Sequence, residues 1–227
     1  VLATAGCAVW GIVEFYKDSI VTARNFYGVL RVRELGRDTA NHRRSLVHGT
    51  ILHGTQYLDG ELRRLPTTYY TSASGVGRAL ESRHPSMTPI KVGVIGLGTG
   101  TLATYGARGD VYRFYEINPA VLEIAQRDFT FLRDSDATIE LALGDARLSL
   151  EREPPQNFDL LAIDAFSSDA IPVHLITAEA LAIYRKHMKP GGVIAFHVTN
   201  RFLDLVPVVK ALADHEGLNA VWVRDEA

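Results

Sequence analysis

Cysteine is nearly absent: the 227-residue chain carries one, Cys7. A disulfide framework is therefore excluded, and a reducing compartment fits. Cys7 itself reads as a small buried apolar residue, because free cysteines are more often buried than nucleophilic. An excess of charge is also lacking. The net charge is -2 and 22% of residues are charged, which argues against a nucleic-acid scaffold and against disorder. Long apolar runs are missing too. Residues 1–13 are apolar and rich in Ala and Gly, but a bilayer span needs about 20 residues. They also lack the basic start of a signal peptide. With Val1 in place of Met, the chain reads as an excised piece. Two readings of its start stand: a first element packed on the core, or the stub of a transmembrane helix. No repeat or low-complexity tract occurs.

What is present is a large apolar fraction, 47%, enough for one large domain or a domain with a small appendage. Two textures divide it. Residues 20–58 read as short strands. Val29-Leu-Arg-Val-Arg33 alternates, as do the stretches at Leu46-Val47 and Ile51-Leu52. His48-Gly-Thr50 and Leu58-Asp-Gly60 supply turns. Residues 67–79 predict a helix interrupted at Gly75 and Gly77, and residues 83–89 a linker. Beyond Pro89, strands and helices alternate. Strands are expected at 90–95, 111–117, 137–143, 158–163, 193–198 and 218–223. Helices are expected at 101–107, after Asn118-Pro119, from Thr177 to about 189 with a stop at Pro190-Gly-Gly192, and at 203–215. This order predicts an α/β fold with a parallel, doubly wound sheet, whose ligands bind at the carboxyl ends of the strands. The division is expected at 1–89 and 90–227.

The motifs fall at those carboxyl ends. Gly96-Leu-Gly-Thr-Gly100 follows a strand and precedes a helix, where glycines let the backbone turn tightly and approach a ligand. Thr101 breaks the dinucleotide spacing, which counts against NAD. Glu116 ends the next strand, about 20 residues on, where an acid accepts hydrogen bonds from ribose hydroxyls. Asp145, in Gly144-Asp-Ala146, accepts from an adenine amino group or caps a helix; both readings stand.

Glycine loop, strand-end acid and Gly-Asp-Ala together resemble class I S-adenosylmethionine-dependent transferases. More narrowly, the chain resembles the spermidine synthase (polyamine aminopropyltransferase) family, and most of all the bacterial spermidine synthase-like domains fused behind transmembrane helices. The resemblance runs from about Arg24 to the end. It is carried by Asn25-Phe-Tyr-Gly-Val-Leu-Arg-Val32, His48-Gly-Thr-Ile-Leu-His-Gly-Thr-Gln56, Pro66-Thr-Thr-Tyr-Tyr70, the glycine loop, Glu116-Ile-Asn-Pro119, Gly144-Asp-Ala-Arg147 and Asp164-Ala-Phe-Ser-Ser-Asp-Ala-Ile-Pro172. It implies a Rossmann-like class I transferase fold with a small N-terminal β domain. It favours a membrane tether before residue 1, with the domain cytoplasmic at the bacterial inner membrane. A homodimer is also implied.

The resemblance implies decarboxylated S-adenosylmethionine as aminopropyl donor and a diamine such as putrescine as acceptor, without metal. The nucleoside would be held by Gly96, Gly98, Thr99, Gly100, Glu116, Asp145 and Ala146. Asp164 falls on the family's catalytic aspartate. Asp169 falls on the second acid of its Asp-x-x-Asp-Pro loop, here two residues longer. Tyr69 and Tyr70 fall on the family's aromatic pair near the amine; their bland reading is core packing. Two carboxylates suit this chemistry, since an amine must be held, oriented and deprotonated before it attacks carbon next to sulfur. As plain structure, Asp164 caps the next segment and Asp169 is a turn acid. Synthases of the family read Gly-Gly-Gly-Asp-Gly at the loop, where the Asp holds the aminopropyl ammonium. Thr99 stands there instead. It favours an alternative, a methyltransferase using ordinary S-adenosylmethionine. A non-catalytic nucleoside- or polyamine-sensing domain of a membrane protein is a third reading.

Other clusters carry less. His48 and His53 on one extended strand would face opposite sides and could not share a metal without a turn between them. His174, His187 and His197 have no metal spacing; His197, at the end of the fifth strand, lines the pocket or is a core or rim packing residue. Ser167-Ser168 lack a nucleophile elbow. Arg31, Arg33, Arg43 and Arg44 read as a solvated face rather than a nucleic-acid site.

Overall fold

The computed structural model describes residues 10–11, 13–83, 88–165, 172–200 and 202–225. Cys7, most of the apolar start, Ser167, Ser168 and Asp169 lie outside them. Among the described residues, no helix is long and apolar enough to cross a membrane.

The first sheet is an antiparallel meander of β1 (Ser19–Asn25), β2 (Gly28–Leu35), β3 (Arg43–His48) and β4 (Ile51–Tyr57). The second is parallel, built from β5 (Lys91–Ile95), β6 (Val111–Glu116), β7 (Thr138–Leu143), β8 (Phe158–Ile163) and β9 (Met188–Phe196) in the order β7-β6-β5-β8-β9. The mixed α/β fold is thus Rossmann-like with a small antiparallel sheet before it. Its strands read as apolar runs because both faces are covered: Val92, Val94, Ile95, Phe114, Tyr115, Leu160 and Leu161 are all buried. The core crosses between the sheets. Leu30, Val32 and Leu46 pack in one cluster with Leu97, Leu102 and Val121.

Polar ties join the two sheets as well. The Gln56 side chain is fully buried and accepts from the Thr130 amide at 2.8 Å while donating to Thr130 Oγ1 at 2.7 Å and to the Arg63 carbonyl at 3.0 Å. Asn25 donates to the Asn118 side chain at 2.6 Å, and Arg44 to the Asp128 carbonyl at 3.0 Å. The arginines are therefore not a uniform solvated face. Arg31 is buried, donates to the carbonyls of Phe15 and Gly49, and lies over the Phe15 ring. Arg44 also pairs with Glu34.

Several elements differ from the sequence pattern, each for a local reason. Residues 67–79 are not one helix. A 3-10 turn at Thr68–Tyr70 is followed by an α-helix at Gly75–Glu81, so Gly75 opens that helix rather than interrupting it, with Ser74 as N-cap. The segment after the glycine loop is a 3-10 helix, Thr101–Tyr105, because only five residues stand between Gly100 and Gly106. Pro190-Gly-Gly192 does not end a helix. The helix Ala178–Lys186 stops earlier, and Pro-Gly-Gly lies inside β9. There the register jumps from Phe158↔Met188 to Leu160↔Val193. An edge strand tolerates such a bulge and its proline. Helix Val206–His215 begins three residues after the expected start. Residues 218–223 form no strand. An apolar run becomes a strand only with a ladder partner, and this stretch instead runs back toward residues 71–75, with Val223 against Gly75 and Thr71 bonded to Asp225 at 2.8 Å.

Candidate functional site

The parallel register lines up the site residues. One residue past each ladder, Gly144 donates to the Glu116 carbonyl, Gly96 to the Tyr115 carbonyl, Asp164 to the Ile95 carbonyl and His197 to the Ile163 carbonyl, at 2.8–3.0 Å. Across the sheet the order is therefore Gly144, Glu116, Gly96, Asp164, His197. Strand order reverses between β5 and β8, and this switch point holds the glycine loop on one side and Asp164 on the other.

Gly96, Gly98 and Gly100 all have positive φ, and each has a close neighbour. A Cβ at Gly96 would stand 2.2 Å from the Asp164 carbonyl oxygen, and one at Gly98 would stand 2.8 Å from the His53 carbonyl oxygen. The loop thus needs glycine for backbone approach as well as for turning. Glu116 braces it. One carboxylate oxygen accepts from the Leu97 amide at 3.0 Å and the other from the Asn118 amide at 2.8 Å. Glu116 is not a solvated strand end: it is 9% exposed. Burial pushes its pKa up, and the backbone hydrogen bonds oppose that shift. Each oxygen keeps a lone pair, so two ribose hydroxyls suit it.

Thr99 is buried. Its hydroxyl pairs with Thr101 at 2.9 Å, and a Cβ at Gly54 would stand 2.3 Å from that hydroxyl. β4 therefore packs directly on the fourth residue of the loop, and the hydroxyl brings no charge.

Asp164 stands between two side chains. The Tyr70 hydroxyl donates to Oδ2, and His197 Nδ1 pairs with Oδ1 at 2.6 Å. Tyr69 stacks on His197 with ring centroids 4.5 Å apart and lies 4.6 Å from the Tyr70 ring. Thr68 just before them has φ of 59°, a strained value for a β-branched residue, where the chain turns into the tyrosines. Burial, and then the Asp164 charge, push the Tyr69 pKa up, so its phenol stays neutral. Tyr69, Tyr70, Asp164 and His197 line one wall of an open cleft along β9. Both tyrosines are thus packed and facing Asp164. His197 belongs with them, the pocket-lining one of the two readings that its place at a strand end allowed.

His53 is the residue that the strand pattern misplaced. β3 and β4 are joined by a tight turn at residues 49–50, and the register passes from Leu46↔Gly54 to Val47↔Leu52, leaving His53 as the extra residue of a bulge. Turn and bulge bring the His48 and His53 rings to 5.6 Å. His48 is held by the Tyr27 carbonyl at 2.7 Å. His53 Nε2 is buried with no hydrogen-bond partner among the described residues. Burial foremost, with the neighbouring His48, lowers the His53 pKa to about 4, while Asp164 pulls the other way. The imidazole is neutral near pH 7.

Asp145 caps the helix Ala146–Arg152, accepting from the Leu148 amide at 2.9 Å. Its other oxygen pairs with His174 Nε2 at 2.8 Å. His187 is a core residue bonded to the Leu150 carbonyl at 2.8 Å. Among the described residues, no group of three metal-ligating side chains converges.

No family model matches the chain. Over 135 residues, 56% of its length, it is 32% identical to a polyamine aminopropyltransferase of Vibrio vulnificus, of which 41% is covered. Over 201 residues, 85% of its length, it is 22% identical to a probable polyamine aminopropyl transferase of Bifidobacterium longum, of which 39% is covered. The chain spans about two fifths of the length of these relatives. A probable spermidine synthase from Corynebacterium glutamicum has the same fold, with a TM-score of 0.55 at 16% identity over 78% of this chain and 62% of that one. The relatives support a transferase related to the polyamine aminopropyltransferases.

Proposed function

We propose that the chain is the catalytic part of an aminopropyltransferase that moves an aminopropyl group from decarboxylated S-adenosylmethionine to a diamine such as putrescine. The observation that carries this reading is Asp164. It is a largely buried carboxylate bonded to Tyr70 and His197, with its backbone against Gly96. Glu116 takes the ribose hydroxyls, and Asp145 with Ala146 receives the base. Gly96, Gly98 and Gly100 let the nucleoside approach. Asp164 anchors the attacking amine and takes up the proton that its ammonium loses. Tyr70 orients that carboxylate, and Tyr69 walls the acceptor. Asp169 is assigned to the acceptor's far ammonium from its place in the sequence.

The neutral nitrogen attacks the carbon beside sulfur, and the carbon–sulfur bond breaks with its electron pair passing to sulfur. The sulfonium leaves as neutral methylthioadenosine. The acceptor nitrogen becomes a secondary ammonium. Holding both reactants in line supplies much of the acceleration.

A second reading rests on Thr99. A neutral hydroxyl at that point of the loop leaves room for ordinary S-adenosylmethionine and methyl transfer. Incubation with each sulfonium, with and without putrescine, separates the two. Methylthioadenosine released only from the decarboxylated donor plus amine is the expected result. Asp164→Asn should cut the rate by about 100-fold or more while leaving methylthioadenosine binding within a few fold. Release of adenosylhomocysteine instead would sink the aminopropyl reading.

A further inference from the structure

We infer that His53 recognises the tail of the sulfonium donor, accepting a hydrogen bond at Nε2 from the donor's terminal ammonium, and so selects the decarboxylated donor over ordinary S-adenosylmethionine. The inference rests on the aminopropyl reading and adds to it the residue that chooses the donor.

Position comes first. A donor with its ribose on Glu116 and its reacting carbon near Asp164 has to cross the glycine loop. β4 covers that loop: the His53 carbonyl lies against Gly98, and Gly54 lies against Thr99. The His53 side chain is electrostatically coupled to Asp164. Its backbone contact with Gly98 puts His53 beside the loop and within reach of the Asp164 charge, where the tail of the donor would lie.

Chemistry comes second. A buried polar atom is normally satisfied, and one that is not calls for a partner. His53 Nε2 has none among the described residues, whereas the neighbouring His48 is already committed to the Tyr27 carbonyl. A neutral imidazole presents one bare nitrogen, a good acceptor for an ammonium. Thr99 supplies no charge, having spent its hydroxyl on Thr101.

Charge comes third. Among the described residues, the charges that act on His53 are those of His48 and Asp164. The described partners of Asp164 are Tyr70 and His197, neither of them a permanent cation. A cationic tail is attracted by Asp164 and can donate to His53. Ordinary S-adenosylmethionine carries the same ammonium with a carboxylate on the same carbon, and turning that carboxylate away from Asp164 takes the ammonium off His53. That carboxylate would meet the Asp164 charge and a neutral ring too weakly basic to become its counter-ion.

Calorimetric titration of methylthioadenosine, decarboxylated S-adenosylmethionine and S-adenosylmethionine into the wild-type chain, His53→Ala and His53→Gln tests this. Methylthioadenosine has no ammonium, so it reports the nucleoside site and the folded state alone. The wild type should prefer the decarboxylated donor by about tenfold or more, the scale of one buried charge-assisted hydrogen bond. His53→Ala should bring that preference below about threefold with methylthioadenosine affinity unchanged. His53→Gln, whose carboxamide oxygen can accept, should keep most of it. Equal losses for all three ligands in both variants, or a wild type that fails to prefer the decarboxylated donor, would overturn the assignment. If methylthioadenosine does not bind the wild type, the nucleoside reading itself falls, an outcome distinct from a failure of His53.

Discussion

His53 also has a consequence for folding that needs no ligand. Its pKa is lowered to about 4 by burial and by His48, whereas a histidine in an unfolded chain titrates near 6.5. Between these two values the unfolded chain binds a proton that the folded chain does not. Stability therefore rises with pH across this window and falls as pH drops through it. The limiting slope is about 1.4 kcal/mol per pH unit. His53→Gln removes the group from both states. Urea unfolding at pH 4.5 and pH 7 should show the wild type losing about 2 kcal/mol more than the variant between the two. Equal losses would mean that the imidazole is solvated in the folded protein. Glu34 works in the same direction at lower pH. Burial raises its pKa, but hydrogen bonds from His42, Arg44 and Arg37 win and bring it to about 2. That network contributes stability above the ordinary carboxylate range and loses it as pH falls through about 2.

At the scale of elements, Asp145 shows how a helix cap and a histidine contact share one carboxylate. One oxygen caps the helix Ala146–Arg152 and the other holds His174. Asp145→Ser keeps a capping oxygen but shortens the reach, whereas Asp145→Ala loses both. The alanine variant should be less stable by about 1 kcal/mol and the serine variant close to wild type. If Asp145 also touches the adenine, both variants should bind methylthioadenosine more weakly. Wild-type affinity in the serine variant would make Asp145 a cap and nothing more. Such caps are short-range chemistry, and for that reason legible in the sequence: Asn118-Pro119 and Thr177 open the helices expected of them. The glycine loop and its strand-end acid were legible for the same reason, being fixed by spacing along the chain. The place of His53 and the partner of His197 were not. A bulge and a turn, invisible to a period of two, brought His53 round to His48. His197 gained its partner from a strand 33 residues away. The missed strand at 218–223 follows the same rule, since its pattern fits a ladder and its ladder depends on an element elsewhere.

At the scale of the whole molecule, the site draws on both sheets. Glu116, Gly96 and Asp164 come from the parallel sheet, and His53 and Gly54 from the antiparallel one. Their alignment depends on how the sheets are locked, and Gln56 is the lock most open to test. Its amide is fully buried and serves three partners, Thr130 Oγ1, the Thr130 amide and the Arg63 carbonyl. Gln56→Ala would strand the Thr130 amide and the Arg63 carbonyl and leave a cavity. Each unsatisfied buried group costs about 1–3 kcal/mol, so a loss of at least about 2 kcal/mol is expected. The shared apolar cluster, with Leu30 and Leu46 against Leu97 and Val121, should keep unfolding in a single transition. Urea denaturation followed by both tyrosine fluorescence and far-UV circular dichroism checks this: the two curves should coincide and shift together to lower urea. An early separate transition of the antiparallel sheet would show instead that the sheets are independent units. The approach of His53 to the donor would then be set by docking rather than by folding. In the cooperative case the same variant should also weaken the preference for the decarboxylated donor, because Gln56 lies three residues along β4 from His53 and holds that strand in place over the loop.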